Sequence, residues 1–146
     1  MGVDLERDYV AANERSLARL KQFIAERSAE DLLRPISDGW TVTAYLGHLA
    51  FWDRRVSRLV DRWLREGYKV PTCDAHIIND AMKPSLLLVQ PAEAAREALS
   101  AAEEADHVVK TLPETLLSQI RSGSGLTVNR EHHRNLHLDE FEAFFG

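Results

Sequence analysis

The sequence predicts an all-α protein, a four-helix bundle with a long connection between helices 2 and 3. Four stretches place apolar residues at the three- and four-residue steps of an amphipathic helix, and no stretch shows a convincing strand pattern. The 146 residues are read as one domain, 1–146, long enough to bury a core. Each of the four helices would bury one apolar stripe against its neighbours.

The first predicted helix runs from about Leu5 to Arg27, with Asp4 as its N-cap. The linker after it contains an Asp-Gly bend and Trp40, which we expect to be a buried anchor. The second helix runs from about Val42 to Arg65, with Thr41 as its cap. The inward stripe of the first helix is Val10, Leu17, Leu20 and Ile24, and that of the second is Tyr45, Leu49, Trp52, Val56, Leu59 and Trp63.

The connection from Gly67 to Pro84 is irregular, with room for a short helix around residues 74–82, and connections of this length often line a site. The third helix begins at Pro91, and Pro113 either ends it or begins an extra turn. The last helix opens near Thr127 or Asn129. The inward stripe of the third helix is Ala95, Leu99, Ala102, Val109 and Leu112.

Composition and charge limit the classes of function. Hydrophobic residues make up 45% and charged residues 28%, with a net charge of −5 and no basic run, which argues against a nucleic-acid partner. No apolar run approaches the roughly 20 residues that span a membrane, and the charged N-terminus lacks the apolar core of a signal peptide. A single cysteine, Cys73, excludes an intramolecular disulfide. We expect a cytoplasmic protein that acts on a small molecule, with a homodimer as a reasonable assembly.

Histidines carry the main chemical signal. His133 and His137 are four residues apart and share one helix face, which continues to Phe141 and Phe144 and is therefore expected to point inward. His48 lies on the inward side of the second helix. Three neutral imidazoles would leave one position open on Zn²⁺, Ni²⁺ or a similar ion, as in catalytic metal sites. Partly buried histidines that are satisfied by hydrogen bonds are the alternative interpretation at this point.

The remaining histidines give weaker signals. His132 lies about 100° around the helix from His133 and is assigned to the flank. His107 lies off the inward stripe of its helix and is expected at the surface. Cys73 and His76 form a C-x2-H pair, a weak zinc signal on its own.

Several other side chains are candidates to surround the site. Trp52, one turn beyond His48, could line a pocket wall. Asn79 and Asp80 could orient a ligand or cap a helix. Asp53 or Glu131 could hydrogen-bond the imidazoles from behind.

Three segments carry a resemblance to a known family. Residues 39–53, G-W-T-V-T-A-Y-L-G-H-L-A-F-W-D, resemble the W-[ST]-V-x-x-x-L-x-H-L signature of the DinB/YfiT-like superfamily. The segment from His133 to Glu140 is similar to the terminal H-x3-H segment of that family. Residues 78–84 resemble the I-N-D-A-L-x-P segment of members near the maleylpyruvate isomerase N-terminal type. The segments occur in the expected order over nearly the whole chain.

The resemblance implies a four-helix bundle whose metal ligands are His48, His133 and His137. It further implies a divalent-metal-dependent enzyme. Characterised relatives perform isomerase and S-transferase reactions with bacillithiol, mycothiol or glutathione, and some perform hydrolase reactions. A low-molecular-weight thiol is expected from the resemblance only, and catalytic residues remain unassigned. The alternative function is a non-catalytic bundle that binds a metal or small ligand, or a stress-related interaction protein.

Overall fold

The computed structural model describes residues 7–146, which form seven α-helices and one small sheet. The all-α prediction is confirmed. The predicted N-cap Asp4 and the predicted start at Leu5 lie outside the described residues. The elements are α1 (Tyr9–Ala25), α2 (Ala29–Leu32), β1 (Pro35–Ser37), β2 (Trp40–Thr41), α3 (Val42–Glu66), α4 (Ala75–Leu86), α5 (Pro91–Lys110), α6 (Glu114–Ser122) and α7 (Glu131–Phe145).

The linker between α2 and α3 folds into a hairpin, so the expectation of no strand was wrong here. β1 and β2 pair antiparallel, with Ser37 opposite Trp40. Asp38 and Gly39 form the two-residue turn and have φ angles of 49° and 79°. Positive φ at both central residues fits a right-handed strand twist, which explains why Asp-Gly suits this turn. The hairpin delivers the chain to Thr41, whose hydroxyl caps α3 by accepting from the Ala44 amide at 3.0 Å.

Four long helices provide most of the interior. α3 packs along α5, α1 packs against α5 and α7, and α3 also contacts α7. Five of the buried residues of α5 are alanines, and their small side chains allow α5 to pack closely against α3 and α1. They are Ala94, Ala98, Ala101, Ala102 and Ala105. The buried face of α5 is centred on these alanines and differs from the predicted inward stripe, because Ala95 and Leu99 of that stripe are only half-buried.

Two apolar clusters fill the interior, and polar side chains lie between them. On α3, Leu49 belongs to one cluster and Val56 to the other, while Asp53 lies midway and is 3% exposed. On α1, Asn13 and Ser16 are likewise buried between Tyr9 and Leu20, which corrects the all-apolar stripe predicted for that helix. This polar layer is next to the histidines.

The connection after α3 is more structured than predicted. α3 ends at Gly67, whose φ of 91° is disfavoured for other residues. α4 extends to Leu86, beyond the predicted residues 74–82, and includes Pro84. The Asp74 side chain caps α4 by accepting from the Ile77 amide at 3.2 Å. Within residues 7–146, no helix is both long enough and apolar enough to cross a membrane.

Candidate metal centre

Three predicted histidines from two helices come together. His48 projects from α3, and His133 and His137 project from α7. One ring nitrogen from each residue lies within 4.8 Å of the other two. Nε2 of His48 and Nε2 of His133 are 3.1 Å apart. His48 and His137 are 7% and 8% exposed, so the imidazoles meet in the interior rather than on the surface.

Aromatic rings fix the positions of these imidazoles. Tyr45, one turn before His48, packs on the ring of His137 at a centroid distance of 5.0 Å. Trp40 stacks on Tyr45 at a centroid distance of 5.1 Å. Phe141 follows His137 by one turn and is completely buried. Phe144, which was predicted to continue this inward stripe, is 37% exposed, so that part of the prediction was wrong.

Burial keeps all three imidazoles neutral at physiological pH. It lowers the pKa of His48 to about 4, with a further contribution from the neighbouring His137. Burial likewise lowers the pKa of His137 to about 4. The pKa of His133 falls to about 3, first through burial and then through His137, His48 and nearby arginines. Neutral imidazoles retain the lone pairs that a metal ion requires.

Glu140 orients one of the imidazoles. Its Oε1 lies 2.8 Å from Nδ1 of His137, one turn earlier on α7. A carboxylate accepts hydrogen bonds, so His137 donates from Nδ1 and its lone pair is on Nε2. Histidine ligands in metal sites commonly have such a carboxylate partner, which fixes the tautomer and the ring orientation.

The donor set fits a divalent transition metal. Nitrogen ligands about 2.0–2.1 Å from tetrahedral zinc lie roughly 3.3–3.4 Å apart, close to the 3.1 Å between Nε2 of His48 and Nε2 of His133. Three imidazoles would leave at least one coordination position for a further ligand. Nδ1 of His48 is buried and has no hydrogen-bond partner within residues 7–146. The three imidazoles could therefore hold a metal ion through ring nitrogens that lie within 4.8 Å of one another.

A cavity of about 540 Å³ opens beside the histidines, a size that suits a small-molecule ligand. Trp52 forms part of its wall, as predicted, and donates from Nε1 to Oδ1 of Asn79 at 2.9 Å. The remaining lining residues come from the hairpin, α3, α4 and the start of α7. They are Trp40, Tyr45, His48, Ala75, His76, Asn79, Asp80, Arg130, His133, Leu136 and His137.

The two predicted acidic partners of the imidazoles have other roles. Asp53 accepts from Nε of Arg130 at 2.8 Å and from Nη2 of Arg134 at 3.1 Å. Arg134 also pairs with Asp106 at 2.7 Å. Glu131 pairs with Arg15 at 3.3 Å. Asp53 therefore belongs to the polar layer below the histidines, and Glu131 to the surface.

The other chemical candidates lie outside the cluster. His132 and His107 are exposed, as expected for a flank and a surface position. His76 is exposed but lines the cavity from α4. Cys73 is also exposed and does not line this cavity, so the Cys73 and His76 pair does not form a second metal cluster in the described part of the chain.

Glu140 and Arg130 were not predicted from the sequence to belong to the site. Glu140 had a usable signal, since a carboxylate three residues after His137 shares its helix face. Arg130 lies before the first residue of α7, so helical periodicity could not predict which way its side chain points.

Comparison with protein-family models finds no family that matches the chain, and comparisons with curated proteins and with solved structures find no match.

Proposed function

We propose that the protein is a divalent-metal-dependent enzyme of the DinB/YfiT-like type that acts on a small molecule. One observation carries this proposal: His48, His133 and His137 converge on one point in the wall of a ligand-sized cavity. The contacts of α3 with α5 and α7, and of α1 with the same two helices, support a four-helix bundle as the architecture.

The side chains around the cluster suit a ligand-exchange site. The three imidazoles stay neutral and present lone pairs, and Glu140 holds His137 in one tautomer. Tyr45 packs on the ring of His137, and Trp40 stacks on Tyr45. A divalent ion such as Zn²⁺ or Ni²⁺ would supply Lewis acidity there. It would lower the pKa of a bound water or thiol, so that a nucleophile is available near neutral pH.

The resemblance to DinB/YfiT-like proteins supports transferase, isomerase or hydrolase chemistry. A low-molecular-weight thiol as co-substrate rests on that resemblance alone. We propose a homodimer because bundles of this kind often pair through an exposed apolar helix face. A non-catalytic metal-binding or small-ligand-binding bundle is the competing function. We favour the enzyme because three imidazoles would leave a metal coordination position open beside the cavity.

Metal stoichiometry tests the proposal. The protein is purified without chelators, incubated with Zn²⁺ or Ni²⁺, dialysed, and analysed for bound metal. We expect one ion per chain in the wild type and in His132→Ala, because His132 is exposed on the flank of α7. His137→Ala should abolish stoichiometric binding. Full metal binding by His137→Ala, or no binding by the wild type, would refute the metal site.

A further inference from the structure

A largely buried cation lies in the same cavity wall as the histidines. Arg130 lines the cavity and is 8% exposed. Its backbone amide donates to Oδ1 of Asn13 at 2.6 Å, and its side-chain Nε donates to Oδ1 of Asp53 at 2.8 Å. Its Nη1 donates to the carbonyl oxygen of Thr127 at 3.3 Å. These contacts fix the guanidinium at the base of α7.

One edge of this guanidinium is unused. A guanidinium has five N–H donors, yet Nη2 of Arg130 makes no hydrogen bond within residues 7–146. The carboxylate that faces Arg130, Asp53, is shared with Arg134. Asp53 and Asp106 together balance the charges of Arg130 and Arg134, so the feature that distinguishes Arg130 is its unused N–H edge in a residue that lines the cavity. A partly desolvated cation of this kind attracts an anionic group in a cavity.

The rest of the cavity suits an apolar, ring-sized group. Trp40, Tyr45 and Trp52 contribute their rings to the wall, and Leu136 contributes an aliphatic side chain. Asp80 is the acidic group in the lining, and it is exposed on α4, where solvent screens its charge. Repulsion from Asp80 is therefore weaker than the attraction of Arg130.

We propose that the cavity binds a small organic carboxylate, with its carboxylate on Arg130 and a ring-sized apolar body against Trp40, Tyr45 and Trp52. This assignment names the substrate class of the proposed enzyme and rests on that proposed function. The carboxylate accepts from Nη2 of Arg130, and the remainder of the molecule lies beside the histidine cluster. Arg130 acts in binding and orientation.

An isosteric pair of probes tests the assignment without requiring the natural substrate. Binding of 4-fluorobenzoate and of neutral 4-fluorobenzamide is followed by ¹⁹F NMR, first with the metal-free protein in chelator. Metal-free protein is used because a carboxylate also binds directly to zinc. We expect the wild type to bind the acid at least about tenfold more tightly than the amide, as a charge-assisted hydrogen bond would give.

Variants of Arg130 test whether this residue causes the preference for the acid over the amide. Arg130→Gln should remove the preference for the acid, while Arg130→Lys should retain part of it as a point charge. Arg65→Gln is the matched control, because it removes the same charge from α3 at an exposed residue that pairs with Asp61 and does not line this cavity. It should bind both probes as the wild type does. Circular dichroism checks that each variant is folded, and the wild-type comparison of acid with amide does not depend on any variant.

Several results would overturn the carboxylate assignment. In the wild type, these results are no binding of 4-fluorobenzoate, or equal binding of 4-fluorobenzoate and 4-fluorobenzamide. A preference for the acid that persists in folded Arg130→Gln, or that appears only after zinc is added, would also contradict the assignment. Zinc content is measured on separate portions of each preparation that are freed of chelator, incubated with Zn²⁺ and dialysed. One zinc per chain without a preference for the acid rejects the carboxylate site alone, whereas a preference without zinc binding rejects the metal-dependent function alone.

Discussion

Asp53 accepts hydrogen bonds from Nε and Nη2 of Arg134 at 3.3 and 3.1 Å in the interior of the protein. Arg134 is 1% exposed and directly follows His133 on α7. Asp106 on α5 accepts from Nη2 of the same guanidinium at 2.7 Å. The buried cation thus links α3, α5 and α7 one residue away from a candidate metal ligand, and it fixes the rotation of α7 that directs His133 toward His48.

Replacing Asp53 should therefore destabilise the whole fold. Asp53→Asn leaves Arg134 buried with one carboxylate fewer, and removal of one partner from a buried ion pair costs about 3–5 kcal/mol. Glu104→Gln is the control, because Glu104 pairs with Arg54 near the surface and is 37% exposed. It should cost no more than about 1 kcal/mol. Urea denaturation measures both values, and equal losses would contradict a special role for Asp53.

The long helices and the histidine pair follow from local rules. The spacing of His133 and His137 places both on one face of α7 in any regular helix, and a run of apolar steps marks α3. Thr41 and Gly67 were recognisable as the ends of α3 because capping and positive φ depend on local residue type. Such features need no knowledge of tertiary contacts.

The polar layer could not be predicted in the same way. Asn13, Ser16 and Arg134 are buried because they satisfy one another across α1 and α7, as in the 3.1 Å bond from Arg134 to Ser16. In the sequence, polar residues at these helical positions would ordinarily be predicted to face solvent. Asp53 was consequently considered as a partner of the imidazoles, although its actual partners are arginines from distant sequence. Long-range hydrogen bonding decides these positions.

The low pKa values of the histidines predict a pH-dependent stability of the metal-free protein. Burial lowers the pKa values of His48, His133 and His137 from 6.5 to about 4, 3 and 4. Between pH 6.5 and about 4 the unfolded chain binds protons that the folded chain does not. The free energy of unfolding therefore falls as the pH falls through this window, by about 2 kcal/mol between pH 7 and pH 6 for the three groups together.

The measurement is urea denaturation at pH 7 and pH 6 in the presence of chelator. The triple variant His48→Asn, His133→Asn, His137→Asn should lose about 2 kcal/mol less than the wild type over this interval. His107→Asn removes an exposed histidine of α5 and should follow the wild type. Identical losses in the wild type and the triple variant would show that these histidines do not cause the pH dependence.

Glu140 should determine metal affinity without being a ligand. Glu140→Gln exchanges the carboxylate that accepts from Nδ1 of His137 for a neutral amide, and loss of such a partner typically weakens metal binding about 10–100-fold. Glu142→Gln is the control on the same helix, because Glu142 pairs with Arg19 instead. Competition against a chromogenic chelator gives both zinc dissociation constants. Equal constants for the two variants would remove Glu140 from the site.

Helix α4 should open more readily than the rest of the fold, because none of its residues is fully buried and Pro84 within it lacks a backbone N–H donor. The hydrogen bond from Trp52 to Asn79 connects it to the cavity wall. Asn79→Ala should speed amide exchange within residues 75–86 about three- to tenfold, as loss of roughly 1 kcal/mol implies. Asp80→Ala places the same alanine on the neighbouring exposed position and should leave exchange there nearly unchanged. Hydrogen-exchange mass spectrometry separates the outcomes, and equally faster exchange in α3 and α5 would indicate global destabilisation instead of local release of α4.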